Sequence, residues 1–315
     1  MGLKQTFEKQ GGITLLKRYW QSGALFTALG VFLLLGKSRT ALEILRLSTQ
    51  LKAKQKLEKK YKSRLAAFDK DYDYTLPHEQ SNKVWVCWFQ GMENAPALVQ
   101  KCFQSLQENL TDREIILITA DNIADYVKFP DFIIDKWEKG QITHTHMTDL
   151  LRLELLINHG GLWLDATVFC TCKRDTIPDY YFDSDLFLYQ CLKPGRDGHS
   201  HLSSSWLMSA TTNNKMLMAI RYLCYEYWKM NTEMLDYFLL HDFISIVFEH
   251  YQEEWKKIVP SDNATPHILL LRLFDQYDKR IWEAIKGQAP FHKMTYKFKD
   301  EQTKLSGTYY DVLFR

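Results

Sequence analysis

Apolar residues follow two periodicities along the chain, and the change between them is sharpest at residues 147–171, M-T-D-L-L-R-L-E-L-L-I-N-H-G-G-L-W-L-D-A-T-V-F-C-T. Leu150, Leu151, Leu153, Leu155 and Leu156 give a broad apolar helix face, and Asp149 and Arg152, three apart, are neighbours on that helix. Gly160 and Gly161 stop it, because glycine takes the left-handed conformation of a helix C-terminus without steric cost. From Leu162 the period becomes two. Leu162, Leu164, Ala166 and Val168 face one way and Trp163, Asp165, Thr167 and Phe169 the other, which predicts a strand.

The same reading orders the rest. Val84-Trp85-Val86-Cys87-Trp88-Phe89 is an apolar run of strand length ending in Gln90-Gly91, as a buried parallel strand feeding a loop does. A helix over 96–109 and a strand over 114–119 complete a strand–helix–strand unit, and nucleotides bind at the carboxyl ends of such strands. Further on, strands are expected at 186–189 and 206–210, separated by a polar loop, 193–204, long enough to gate a pocket. Helices are expected over 213–230 and 235–251. At the other end, 39–68 reads as a helix with Lys on most faces away from Leu42, Leu45, Leu47, Leu51, Leu57, Tyr61 and Leu65. A polar connection, 72–81, separates a helical module at 1–72 from an α/β domain at 73–315.

Charge changes this picture. Residues 1–62 carry thirteen Lys and Arg against three acids, a balance of +10, so the whole-chain +2 leaves −8 for the remainder. Within the basic part, residues 23–36 form a fourteen-residue uncharged stretch, short of the roughly 20 residues that span a bilayer. No cleavage pattern follows to mark a signal peptide. Two uses remain: shallow insertion at an anionic membrane surface, or packing as a helical hairpin on the α/β domain or on a second copy of the chain. The 39–68 helix has few Glu for pairing along itself, which predicts docking or an acidic partner; nothing else resembles a nucleic-acid module. Residues 1–6, M-G-L-K-Q-T, match the myristoylation pattern, a match we take as coincidence. The six cysteines form no C-x-x-C pair, which argues against zinc and fits reduced thiols in a cytoplasmic protein. No G-x-G-x-x-G or Walker pattern occurs, which argues against dinucleotide redox and P-loop chemistry.

Asp165 is the first chemical candidate, since a carboxylate near the end of an apolar strand is costly to bury without a partner. On spacing alone it is equally a strand-end residue bonded to turn amides, with Asp149 and Arg152 an ordinary ion pair. The block D-L-L-R-L-x-L-L-x-x-x-G-G-L-W-L-D resembles sugar-nucleotide glycosyltransferases of GT-A fold, especially capsular polysaccharide synthesis proteins related to glycosyltransferase family 32. V-W-V-C-W-F-Q-G, E-I-I-L-I-T-x-D-N and the late His292-Lys293-Met294-Thr295-Tyr296-Lys297 resemble further segments of that group.

The resemblance implies a GT-A-like core behind the basic module, and a retaining transfer of a hexose from a nucleotide-sugar, expected to be a UDP-sugar, to a growing glycan. It implies that Asp149 and Arg152 contact the donor, with Asp149 orienting its sugar, and that Trp88 and Gln90 hold the base. Lys293 and Lys297 are expected at the diphosphate. Asp165, with Thr167 and His292, is expected at a divalent ion, Mn²⁺ or Mg²⁺. Thr167 departs from the second acid of the group's D-x-D motif, so fewer protein charges would hold that ion. Asp242 is a further catalytic candidate, either facing the reaction centre or paired with His241. A lipid-linked acceptor would place the enzyme peripherally at the cytoplasmic face of the cell membrane. The rivals are a sugar-phosphate transferase using the same donors and a non-catalytic membrane scaffold.

Overall fold

The computed structural model describes residues 12–193, 198 and 200–315; the residues 1–6 pattern and part of the 193–204 loop lie outside them. Three helices open the described chain, α1 (Gly12–Ser22), α2 (Leu25–Leu35) and α3 (Arg39–Tyr61), followed by α4 (Leu65–Asp71). Ser38 caps α3 by accepting from the Ala41 amide, and the apolar stretch at 23–36 is α2 with a positive-φ glycine on either side, Gly23 and Gly36.

A five-stranded sheet of order β2-β1-β3-β6-β5 follows. β1 (Lys83–Cys87) runs parallel to β2 (Glu114–Ile118) and to β3 (Gly161–Leu164), while β6 (Ser203–Ala210) is antiparallel to β3 and to β5 (Leu186–Gln190). Alternation divides the core. Trp85, Ile116, Trp163, Leu188 and Met208 pack on one face. There they meet α6 (Asp131–Glu138), α7 (His144–His159), α8 (Lys215–Met230) and α9 (Leu239–His250). Val84, Val86, Leu162, Leu164 and Leu207 pack on the other, against α5 (Ala97–Asn109). Leu57, Tyr61 and Leu65 of the N-terminal helices join the first of these cores.

The turn between α7 and β3 must be glycine. Gly160 and Gly161 have φ of 63° and 96°, and a Cβ on Gly161 would lie 2.4 Å from the Lys83 carbonyl oxygen. β3 is shorter than its alternation predicts: after Leu164 the chain turns, the Val168 amide bonds the Asp165 carbonyl at 2.9 Å, and β4 (Val168–Cys170) leaves the main sheet. β4 pairs instead with the late strand β7 (Phe291–Lys293), antiparallel, in a separate two-stranded sheet. The turn leaves Asp165 just beyond the carboxyl end of β3.

The basic N-terminal helices are docked. Lys17 reaches Glu233 at 2.5 Å, Lys54 pairs with Glu249 of α9, and Arg64 with Glu226 of α8. Part of the charge imbalance is therefore internal, with Lys17 and Lys54 of the +10 segment meeting acids of the −8 remainder. α2 stays largely uncovered, with Phe26, Leu33 and Leu34 exposed by 77%, 80% and 84%. No helix among the described residues is long and apolar enough to cross a membrane.

Candidate active site

The carboxyl ends of β1 and β3 open into a cleft of about 680 Å³, a size typical of small-molecule sites. Trp88 and Gln90 enter it from the loop after β1, Arg152 from α7, Asp165 and Thr167 from the turn after β3, and Lys293 to Lys297 from β7 and its extension. Thr143 accepts from the His146 amide to cap α7, so the helix is fixed where its first turns meet the cleft.

Arg152 is the hub. Its Nη2 lies 3.3 Å from Asp149 Oδ1 and 3.3 Å from Asp165 Oδ1, while Nη1 donates to the Ser205 carbonyl at 2.9 Å and to the Ser205 hydroxyl. Its guanidinium sits 5.1 Å from the Trp163 ring, whose Nε1 also donates to Asp165 Oδ1, at 3.1 Å. Only a planar fork of several N–H groups can serve these acceptors together. Asp149 does not line the cleft. It lies behind Arg152, and its second oxygen faces His146 Nδ1 at 3.1 Å, while His146 Nε2 accepts from Trp228 at 3.0 Å. Asp149 therefore positions Arg152.

Lys293 is the second cation. Its Nζ donates to Asp165 Oδ2 at 2.7 Å and to Thr167 Oγ1 at 2.7 Å. Burial works against charge on Asp165, but Lys293 and then Arg152 hold its carboxyl below the usual carboxylate range. The carboxylate is thus ionised, fully engaged and a poor base.

Two more expected residues, besides Asp149, fall elsewhere. His292 precedes Lys293 on β7, so strand alternation turns it away from the cleft: its Nε2 lies 3.1 Å from Thr171 Oγ1, and burial pushes its pKa down to about 4. Asp242 is fully buried on α9 and meets His201 Nε2 at 3.1 Å, not His241 and not the cleft; burial raises its pKa well above the ordinary value. Its neighbour His241 joins the Arg152 network without lining the cleft, 3.3 Å from the Ser205 hydroxyl that also bonds Arg152. In the 193–204 loop, Gly198 and Ser200 bond Arg46 and Gln50 of α3, and no described residue of the loop lines the cleft.

Trp88, Gln90 and Lys297 line the cleft; Trp88 stands edge-on to Tyr296, ring centroids 5.5 Å apart. Sequence reasoning missed His144, Thr148, Tyr237 and Tyr296. Tyr296 and Thr148 lay inside quoted segments and His144 just before one, whereas Tyr237 arrives from a distant turn with no local signal.

The residues do not fit a divalent ion at Asp165 and Thr167. The protein offers there one carboxylate oxygen, since Oδ1 already accepts from Arg152 and Trp163, and one neutral hydroxyl. Both oxygens are already bonded to the same ammonium. No group of three or more His, Cys, Asp or Glu side chains is gathered for a metal among the described residues.

Residues 38–313 match the family of capsular polysaccharide synthesis proteins. The chain belongs to that family. Two relatives share shorter segments with this family member. O-glycosyltransferase braB of Annulohypoxylon truncatum is 31% identical over 102 residues, 30% of this chain and 24% of that protein. Glycosyltransferase afumC of Aspergillus fumigatus is 24% identical over 106 residues, 31% and 27% of the two chains. The capsular family protein thus spans about a quarter of the length of the curated relatives it matches. Among solved structures, the PaToxG glycosyltransferase superposes on 66% of this chain and 80% of its own, with 14% identity and a weak TM-score of 0.38.

Proposed function

We propose that this protein is a GT-A-type glycosyltransferase of the group related to glycosyltransferase family 32. In this reading it moves a hexose from a nucleotide-sugar, in the first instance a UDP-sugar, to a growing surface glycan. The observation that carries the reading is the convergence of Arg152, Asp165 and Lys293 with Trp88 and Tyr296 in one cleft at the carboxyl ends of parallel strands. Cations there meet a diphosphate, and flat rings beside them suit a base or a sugar. The family and the two named relatives point the same way.

The charge pattern favours retention. Asp165 is the only carboxylate among the described residues lining the cleft, and its engagement by Lys293 and Arg152 leaves it a poor base for an inverting attack. Retention from the front face needs no protein base. The bond from the anomeric carbon to the diphosphate oxygen breaks, the acceptor oxygen bonds on the same face, and the acceptor proton passes to the departing diphosphate. Arg152 stabilises the charge gathering on that group, and Lys297 adds to it from the rim.

The uncovered α2 supports a peripheral position at the cytoplasmic membrane face, with a lipid-linked acceptor. Phe26, Leu33 and Leu34 are exposed, and Lys37 and Arg39 follow directly.

The test is a panel of UDP- and GDP-sugars in thermal unfolding. One donor at a hundredfold its Kd should stabilise the fold by about 2.7 kcal/mol, and Arg152→Ala should lose that shift. No shift with any donor would overturn the reading.

A further inference from the structure

Lys293 is placed by the sheet. It closes β7 opposite Val168 of β4, and the next amide, Met294, bonds the Thr167 carbonyl at 2.9 Å. The two oxygens it bonds, Asp165 Oδ2 and Thr167 Oγ1, are those a D-x-D-like turn offers to a cation. A small divalent ion asks for near-octahedral oxygen ligands at about 2.0–2.1 Å, more than one carboxylate oxygen and one hydroxyl, both bonded to Lys293, provide. An ammonium asks for less: it has three N–H donors, and these two oxygens take two of them. The third remains for a substrate oxygen, on a side chain that is 19% exposed and lines the cleft.

We infer that the Lys293 ammonium is the resident cation of this site, holding the donor diphosphate in place of a divalent metal. The inference rests on the transferase reading above and deepens it. Thr167 becomes intelligible on this basis. A second carboxylate at that position would add a negative charge beside Asp165 and the incoming diphosphate, whereas a hydroxyl accepts from the ammonium and adds no charge. The donor then binds and departs without an ion to exchange, and the positive charge facing the leaving diphosphate is fixed by the β4–β7 pairing.

Calorimetry with UDP and with GDP on the full chain, first in EDTA and then in excess Mn²⁺, tests this on the wild-type protein alone. The expected result is that the preferred nucleotide binds with a Kd equal within threefold in the two conditions. Lys293→Met, its folding verified by circular dichroism, should weaken binding at least thirtyfold in EDTA, and Lys293→Arg should recover part of the loss. Electron paramagnetic resonance supplies a readout independent of turnover: Mn²⁺ added to the nucleotide-free protein should show no protein-bound signal for wild type. Wild-type binding that requires Mn²⁺, or unchanged binding by Lys293→Met, would overturn the inference and leave the transferase reading standing. Failure of both nucleotides to bind in either condition would remove the inference together with the donor assignment beneath it.

Discussion

Arg152 ties three parts of the chain through one guanidinium, bonded to Asp149, Asp165 and Ser205. Arg152→Lys keeps the charge but not the fork, so transfer should fall about 10²–10³-fold, the usual effect of removing one donor from a charge-stabilising site, with the fold intact by circular dichroism. Asp149→Ala acts differently. It leaves a buried guanidinium short of a partner and should lower the unfolding free energy by about 3 kcal/mol, read from urea denaturation. His292 has a pH signature. Its ring is buried neutral with a folded pKa of about 4, so the unfolded chain binds the proton first as pH falls through the ordinary histidine range near 6.5. Stability is full above that range and declines between there and 4, by up to about 1.4 kcal/mol per pH unit from this group. His292→Asn should flatten the urea midpoint between pH 6.5 and 4.5; an unchanged slope would contradict the burial argument. Asp165 contributes at lower pH, its stabilisation full above the ordinary carboxylate range and lost as pH falls through its depressed folded value. Asp165 was legible in the sequence because a carboxylate among apolar residues requires a partner, whereas Arg152 and Lys293 were picked out only by the family resemblance. That Lys293 rather than His292 faces the cleft was not legible, since it depends on how β7 registers against β4.

Among the elements, β1, β2 and the helix–glycine–strand block lie close to where periodicity puts them, because each buries a continuous apolar face. Alternation overran at β3: the apolar residues of 162–169 continue the pattern through a turn, for Val168 is buried in β4 as surely as Leu164 is in β3. The β4–β7 pair joins segments more than a hundred residues apart, and no local pattern announces such a pairing. The 39–68 stretch was legible as docked or bound to acids, and its Lys54 and Arg64 meet Glu249 and Glu226. For α2, Leu33→Ser with Leu34→Ser should reduce co-sedimentation with phosphatidylglycerol vesicles at least fivefold. Binding should also fall with rising salt, while transfer to a soluble acceptor is kept. Wild-type protein that stays in the supernatant at low salt would instead favour a second copy of the chain as the cover for α2.

For the whole molecule, the parallel strands bring the cleft to one end of the sheet, and the C-terminal segment returns across it to supply Lys293 and Lys297. The central claim is that this cleft breaks the bond between sugar and nucleoside diphosphate. Phosphorus NMR of UDP- and GDP-sugars incubated with the protein and a glycan acceptor tests it directly, because the two chemistries release different nucleotides. Glycosyl transfer predicts nucleoside diphosphate, formed by wild type and lost in Arg152→Ala. Release of nucleoside monophosphate, with phosphorus retained in the product, or no release with any donor, would contradict the account.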